Sequence, residues 1–190
     1  MAKTILIFLR HGQVSNDRQI VYGRLPGFGL SAQGREEVKQ ATALLAKYKI
    51  HKIYASPLLR TRQTAQILAK KFKIKPVFSR LLLEVNLIYQ GMPILEFKSQ
   101  IQAHLYDPVN ILKGQESIET ISKRMSRYVN MVKQKYPGKI ILAVSHGDPI
   151  VILKATTTGK KFTWEFKRDN YLSTAGWLIM IIDNEKFIWQ

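Results

Sequence analysis

Short apolar, β-branched runs alternate along the chain with longer stretches in which apolar positions recur every three or four residues. The short runs predict strands at residues 4–9, 52–55, 75–79, 139–144, 174–182 and 186–189. The longer stretches predict helices between them. Ser31 caps one that runs to about residue 48, with Val38, Ala41, Leu44 and Leu45 on one face. Ser56 followed by Pro57 reads as a cap and first helical position, opening a helix that carries Leu68, Ala69 and Phe72. From Glu116 to about residue 135, Ile118, Ile121, Met125, Tyr128, Val129 and Val132 share one stripe, with two glutamates in the first turn. Asp148 and Pro149 repeat the cap-and-proline signal before residues 150–155. Residues 81–113 have weak periodicity and read as an irregular cover segment.

Strands alternating with helices predict an α/β fold: a three-layer sandwich whose mostly parallel central sheet is covered by helices on both faces. In such sheets ligands sit at the carboxyl ends of the strands. No linker, repeat or low-complexity stretch divides the chain, so residues 1–190 read as one domain.

The polar residues at the predicted strand ends change the picture. Arg10, His11 and Gly12 follow the first strand, Ser56, Pro57 and Arg60 the second, and Ser145, His146 and Gly147 the strand "KIILAV". Two arginines, two histidines and helix starts would then meet on one rim, which suits a phosphoryl dianion. Each residue alone has an ordinary explanation: a turn histidine, a structural histidine, a surface arginine. Their joint placement carries the argument.

Composition narrows the chemistry. Hydrophobic residues make up 46% and charged residues 23%, as expected of a folded domain with a real core. Cysteine is absent, which excludes disulfides and thiolate metal sites. The start "MAKTILIFLR" is too short in its apolar part for a secretory signal, and no run approaches a membrane span, so a cytoplasmic protein without membrane contact is expected. The net charge of +17 points to an anionic partner. It is spread along the chain, and its densest cluster, "KKFKIK", reads as a solvated helix end. No basic, aromatic-rich module of the nucleic-acid-binding kinds is present, so a small phosphorylated substrate is the expected partner and nucleic acid is not.

The ordered set "LRHG", "ASPLLRTRQTA", the Glu84 region, "GQES" and "VSHGD" resembles the histidine phosphatase superfamily, the phosphoglycerate mutase-like fold, over nearly the whole chain. The run "YGRLPGFGLSAQG" is similar to its single-domain phosphatase branch. The resemblance implies a metal-independent phosphomonoesterase that needs no cofactor. His11 would be the nucleophile that becomes phosphorylated, and inorganic phosphate would be a product. It assigns Arg10, Arg60 and His146 to the transferred phosphoryl oxygens and Glu84 to the proton donor. Asn16, Tyr22, Gly23 and Arg24 would contact the phosphate or the rest of the substrate, and Gly147 would let the backbone approach it. One departure stands out: Val14 and Asp17 replace the hydroxyl residue and asparagine of the usual pattern, leaving Asn16 to serve in a shifted register. A mutase-type phosphotransferase and a non-catalytic phospholigand or nucleic-acid binder are the alternatives. Asp148 is expected to cap its helix and not to act as an acid, and Tyr171, Trp177 and Trp189 to lie in the core or on the sheet.

Overall fold

The computed structural model describes residues 3–184 and 186–190. Among them, six strands form one sheet: β1 (Thr4–Arg10), β2 (Ile50–Ala55), β3 (Val77–Phe78), β4 (Ile140–Ser145), β5 (Trp177–Asp183) and β6 (Lys186–Trp189), in spatial order β3-β2-β4-β1-β5-β6. β3, β2, β4 and β1 run parallel to one another, while β5 is antiparallel to both β1 and β6. The fold is the expected α/β sandwich.

Alternation along the strands builds both layers. Leu6 and Phe8 of β1 point to one face, with Ile141 and Ala143 of β4 beside them in register. That face is covered by α5 (Ile118–Lys135) through Ile121, Met125, Tyr128, Val129 and Val132, and by α6 (Gly147–Thr157). Ile7 and Leu9, with Leu142 and Val144, point to the other face. There α1 (Ala32–Leu45) and α2 (Leu59–Phe72) pack through Val38, Ala41, Leu45, Ala65 and Leu68. Every one of these side chains is essentially removed from water, and each large one contributes about 1.5–3 kcal/mol to burial.

Between β3 and α5 the backbone breaks into short turns. A 3-10 turn at Arg80–Leu82 is followed by α3 (Ile94–Glu96), a π turn at Phe97–Ile101, a 3-10 turn at Gln102–His104 and α4 (Pro108–Leu112). A last helix, α7 (Trp164–Asn170), precedes β5 and has no sequence expectation; Thr163 caps it, accepting from the Phe166 amide.

Two helix starts differ from expectation. Ser56 and Pro57 lie before α2, which begins at Leu59 with Leu58 as N-cap and no side-chain cap. The Ser56 hydroxyl is buried and bonded to the His146 ring instead. Likewise α6 is entered through His146, so Asp148 and Pro149 lie inside its first turn and Asp148 is no cap. In both places a buried polar group needed a partner that the cap role would have denied it.

Parallel topology also separates the charge. β1, β2 and β4 end at the site described below, and α1, α2 and α5 run back to the opposite pole. Lys47, Lys49, Lys70, Lys71, Lys73, Lys135 and Lys139 are exposed around those helix ends and the starts of β2 and β4.

Candidate active site

β1 runs straight into the site because its last residues face two ways. Arg10 ends the strand, and the chain then turns at His11 and Gly12 against the first turn of α1. A Cβ on Gly12 would stand 2.3 Å from the Gly34 carbonyl oxygen, so this approach requires glycine. The Gly12 amide also faces the Thr64 hydroxyl of α2 at 3.4 Å.

His11 is buried, and its Nδ1 lies 2.8 Å from the Gly12 carbonyl oxygen. A carbonyl only accepts, so Nδ1 carries the proton and Nε2 is the unprotonated nitrogen with the lone pair. Nε2 faces Arg60, whose Nε donates to it at 3.2 Å. The other arm of Arg60 donates to His146 Nδ1 at 3.2 Å and to the Gly23 carbonyl at 2.8 Å. Since arginine cannot accept, His146 must place its proton on Nε2, which donates to the Ser56 hydroxyl at 2.9 Å. The two imidazoles stand edge to face with centroids 5.2 Å apart. Burial, then the Arg60 charge, holds both well below the usual histidine value, so both are neutral bases near pH 7.

Arg10 donates to the Leu172 carbonyl and lies under the Tyr171 ring, 4.9 Å from its centroid. Its Nε is buried with no hydrogen-bond partner among the described residues. A buried, charged donor left unpaired is costly, and Arg10 lines one cavity with His11 and Glu84.

Glu84 follows the 3-10 turn of the cover segment. Its Oε2 is 3.6 Å from His146 Nδ1 and 3.9 Å from Arg60, and its Oε1 accepts from the Val85 amide at 2.9 Å. Burial, then the negative charge of Asp148, raises its pKa above the ordinary carboxylate value, against the pull of Arg60. Asp148 itself accepts from Lys167 at 2.8 Å and from the Tyr106 hydroxyl at 2.9 Å. Burial alone would raise its pKa, but the Lys167 charge and these hydrogen bonds outweigh it and keep Asp148 ionised.

The remaining sequence candidates fall in different places. Tyr22 lines the cavity and stacks between Phe28 and the Arg60 guanidinium, which is 4.9 Å from its ring centroid. Gly23 lends Arg60 its carbonyl. Gly147 lies beneath Tyr171, where a Cβ would meet the ring at 2.4 Å. Asn16 does not line the cavity; its side chain ties both the amide and the carbonyl of Ile20, closing the turn after β1. Arg24 also turns away, donating to the Glu84 carbonyl at 2.7 Å and to Glu116 at 2.9 Å, where Arg124 joins at 2.8 Å. Asp17 is exposed, its carboxylate 3.5 Å from the Ser15 hydroxyl.

Sequence reasoning had no signal for the Lys167–Asp148–Tyr106 group, which joins α7, α6 and the cover segment, and it placed Tyr171 in the core or on the sheet. Tyr171 instead lies in the loop after α7, 40% exposed, as a flap over Arg10 and Gly147. Ser56 was in view only as a cap.

His11, Glu84 and His146 place ligand-type atoms within 4.8 Å of one another, a spacing a metal ion could use. The Arg60 guanidinium is bonded to the facing nitrogens of both histidines, so a divalent cation would have to displace a buried positive charge. The arrangement fits an anion.

The sequence profile of the histidine phosphatase superfamily, branch 1, matches residues 6–190. The chain belongs to that superfamily and is a phosphatase. An uncharacterized protein of Mycobacterium tuberculosis is 28% identical over 185 residues, covering 95% of this chain and 91% of its own. Phosphoserine phosphatase 1 of Hydrogenobacter thermophilus is 24% identical, over 87% of this chain and 82% of its own. Among solved structures, a mycobacterial glucosyl-3-phosphoglycerate phosphatase superposes with a TM-score of 0.80 at 24% identity, covering 98% of this chain and 95% of that one. As a histidine phosphatase, this chain presents its two histidines and two arginines on one rim, with a carboxyl group lowered onto them from the cover segment.

Proposed function

We propose that the protein is a metal-independent phosphomonoesterase that works through a phosphohistidine on His11. The observation that carries this reading is the His11 ring: Gly12 fixes the proton on Nδ1, and Nε2 is left as a neutral nucleophile facing a buried guanidinium. Nε2 attacks phosphorus, the ester P–O bond breaks, and protonated Glu84 gives its proton to the departing alkoxide. Water then attacks the phosphohistidine, the Glu84 carboxylate takes a proton from it, the P–N bond breaks and inorganic phosphate leaves. Arg10 and Arg60 hold the phosphoryl oxygens throughout; positioning and charge stabilisation are most of what this chemistry asks of a protein. A bound dianion favours protonation of His146, which turns its Nδ1 from acceptor into donor. Tyr22 contacts the leaving group, whereas Asn16 and Arg24 support the loop and the Glu84 backbone, and Gly147 serves the approach of Tyr171.

The names of the relatives, phosphoserine phosphatase and glucosyl-3-phosphoglycerate phosphatase, favour hydrolysis of a small phosphorylated metabolite. A mutase needs a fuller set of basic residues for an acidic acceptor, and the cover segment brings Lys98 alone among otherwise chiefly apolar side chains to the cavity.

The test is His11→Ala with p-nitrophenyl phosphate in EDTA. Loss of at least about 10³ in kcat is expected, together with loss of an acid-labile phosphoenzyme trapped from radiolabelled ester. Retention of a tenth of the wild-type rate or more would rule out the covalent route.

A further inference from the structure

The cavity in front of His11 is split by polarity. Its floor holds Arg10, His11 and Glu84, with Asp148 and Lys167 already bonded to each other. Its walls are Leu87, Ile94, Phe97 and Leu105 of the cover segment and Ile20 and Val21 of the loop after β1. Lys98 and Gln102, four residues apart, also line it, as do Tyr22 and Tyr171. Lys98 is exposed and has no charged or hydrogen-bonded partner among the described residues. The whole space is about 250 Å³, below the usual range for small-molecule sites, so the group attached to the phosphate must be compact.

We propose that the site selects phosphate monoesters of a compact apolar alcohol that carries an anionic group at its far end. This rests on the phosphatase reading above and narrows it to a substrate class. Once the phosphoryl group sits at His11, the carbon skeleton lies chiefly between aliphatic and aromatic side chains, with the hydroxyls of Tyr22 and Tyr171 and the Gln102 amide as the neutral polar side-chain groups of the lining. A sugar or polyol has more hydroxyls than these groups can bond, and each one left over would give up its water without a replacement, a loss that discriminates far more strongly than a missing methylene. Lys98 adds an ammonium group without a charged partner to this lining, which favours a carboxylate or second anion on the substrate over a plain hydrocarbon tail. The specificity would therefore differ from that in the names of the glucosyl-3-phosphoglycerate and phosphoserine phosphatases, whose substrates are polar along their length.

Three primary alkyl phosphates test this with matched leaving groups: hexyl phosphate, its ω-carboxylate analogue and glucose 6-phosphate. Hexyl phosphate is expected to exceed glucose 6-phosphate by about 100-fold in kcat/KM, and the carboxylate analogue to exceed hexyl phosphate by about tenfold. Phe97→Asn and Leu87→Asn should each shrink the first ratio, and Lys98→Met should reduce the second by about tenfold. If glucose 6-phosphate matches or beats hexyl phosphate while His11 still forms its phosphoenzyme from p-nitrophenyl phosphate, the substrate class is wrong and the phosphatase reading stands. A carboxylate preference that survives Lys98→Met removes the anionic end from the proposal. If no ester is hydrolysed and no phosphoenzyme forms, both readings fall.

Discussion

At the scale of single residues, the site works by holding titratable groups away from their ordinary protonation. Glu84 is buried beside an ionised aspartate, so its proton is retained to higher pH than in a solvated glutamate. Glu84→Gln should slow an alkyl phosphate by about 10²–10⁴ but p-nitrophenyl phosphate far less, because nitrophenolate leaves without a proton. Equal losses on the two esters would remove Glu84 from the acid's role. The kcat/KM of the alkyl ester should fall as pH rises through the elevated Glu84 pKa, and that limb should vanish in Glu84→Gln. The histidines act in the opposite sense on stability. Their folded pKa values lie below the ordinary histidine value of about 6.5, so above that pH their contribution is complete. As pH falls from about 6.5 towards the folded values, the unfolded chain binds protons that the folded one refuses, and Tm should drop. His146→Gln should flatten that acid slope; an unchanged slope would place the proton uptake elsewhere.

At the scale of elements, α7 and α6 tune the cover segment from behind. Lys167 of α7 lies between the rings of Trp164 and Tyr171 and neutralises Asp148 of α6, whose charge in turn lifts Glu84. Asp148→Asn should therefore move the alkaline limb of the alkyl-phosphate profile to lower pH, the direction expected when a neighbouring negative charge is removed. Lys167→Met leaves that carboxylate buried without a cation and should destabilise the fold by about 3–5 kcal/mol in denaturant unfolding. A profile that does not move in Asp148→Asn would show that burial alone sets Glu84. The helix caps tell a related story. Ser31 and Ser117 do cap α1 and α5, accepting from the Gly34 and Thr120 amides, because nothing in the site competes for them. Ser56 and Asp148 carry the same local signal and were claimed by His146 and Lys167.

At the scale of the whole molecule, the sheet direction sorts charge as well as function. Residues 38–83 and 120–147 contain no acidic residue, and they supply β2, α2, β3, β4 and α5 beyond its first two residues. Most of their lysines collect at the pole away from the cavity, around a recess formed by Lys49, His51 and Lys139 with their neighbours. This pole should hold the protein on heparin at low salt and release it steeply as salt rises. Reversing Lys47, Lys49 and Lys139 to glutamate should lower the elution salt more than reversing Lys113, Lys160 and Lys161, without altering turnover of p-nitrophenyl phosphate. Equal shifts from the two triples would mean that only net charge matters.

The sequence by itself determined the layers, the strand ends that carry chemistry and the family. Period-two alternation in β1 and β4 and the apolar stripe of α5 can be satisfied only by burial on opposite faces of a sheet. "RHG", "SPLLR" and "SHG" each follow such a strand, so their convergence followed from topology. Tertiary structure alone decided what the remaining polar residues do. Asn16 and Arg24 turned from the cavity to brace backbone, because the turn after β1 and the Glu84 carbonyl needed partners. Lys167 and Tyr171 reached the site from a helix and loop without a motif, and the cavity walls came from the segment with the weakest periodicity. Periodicity reports which side of an element faces the core. It says nothing of which buried polar atom will find which partner, since that pairing is set by distances across the chain that exist only after the layers have closed.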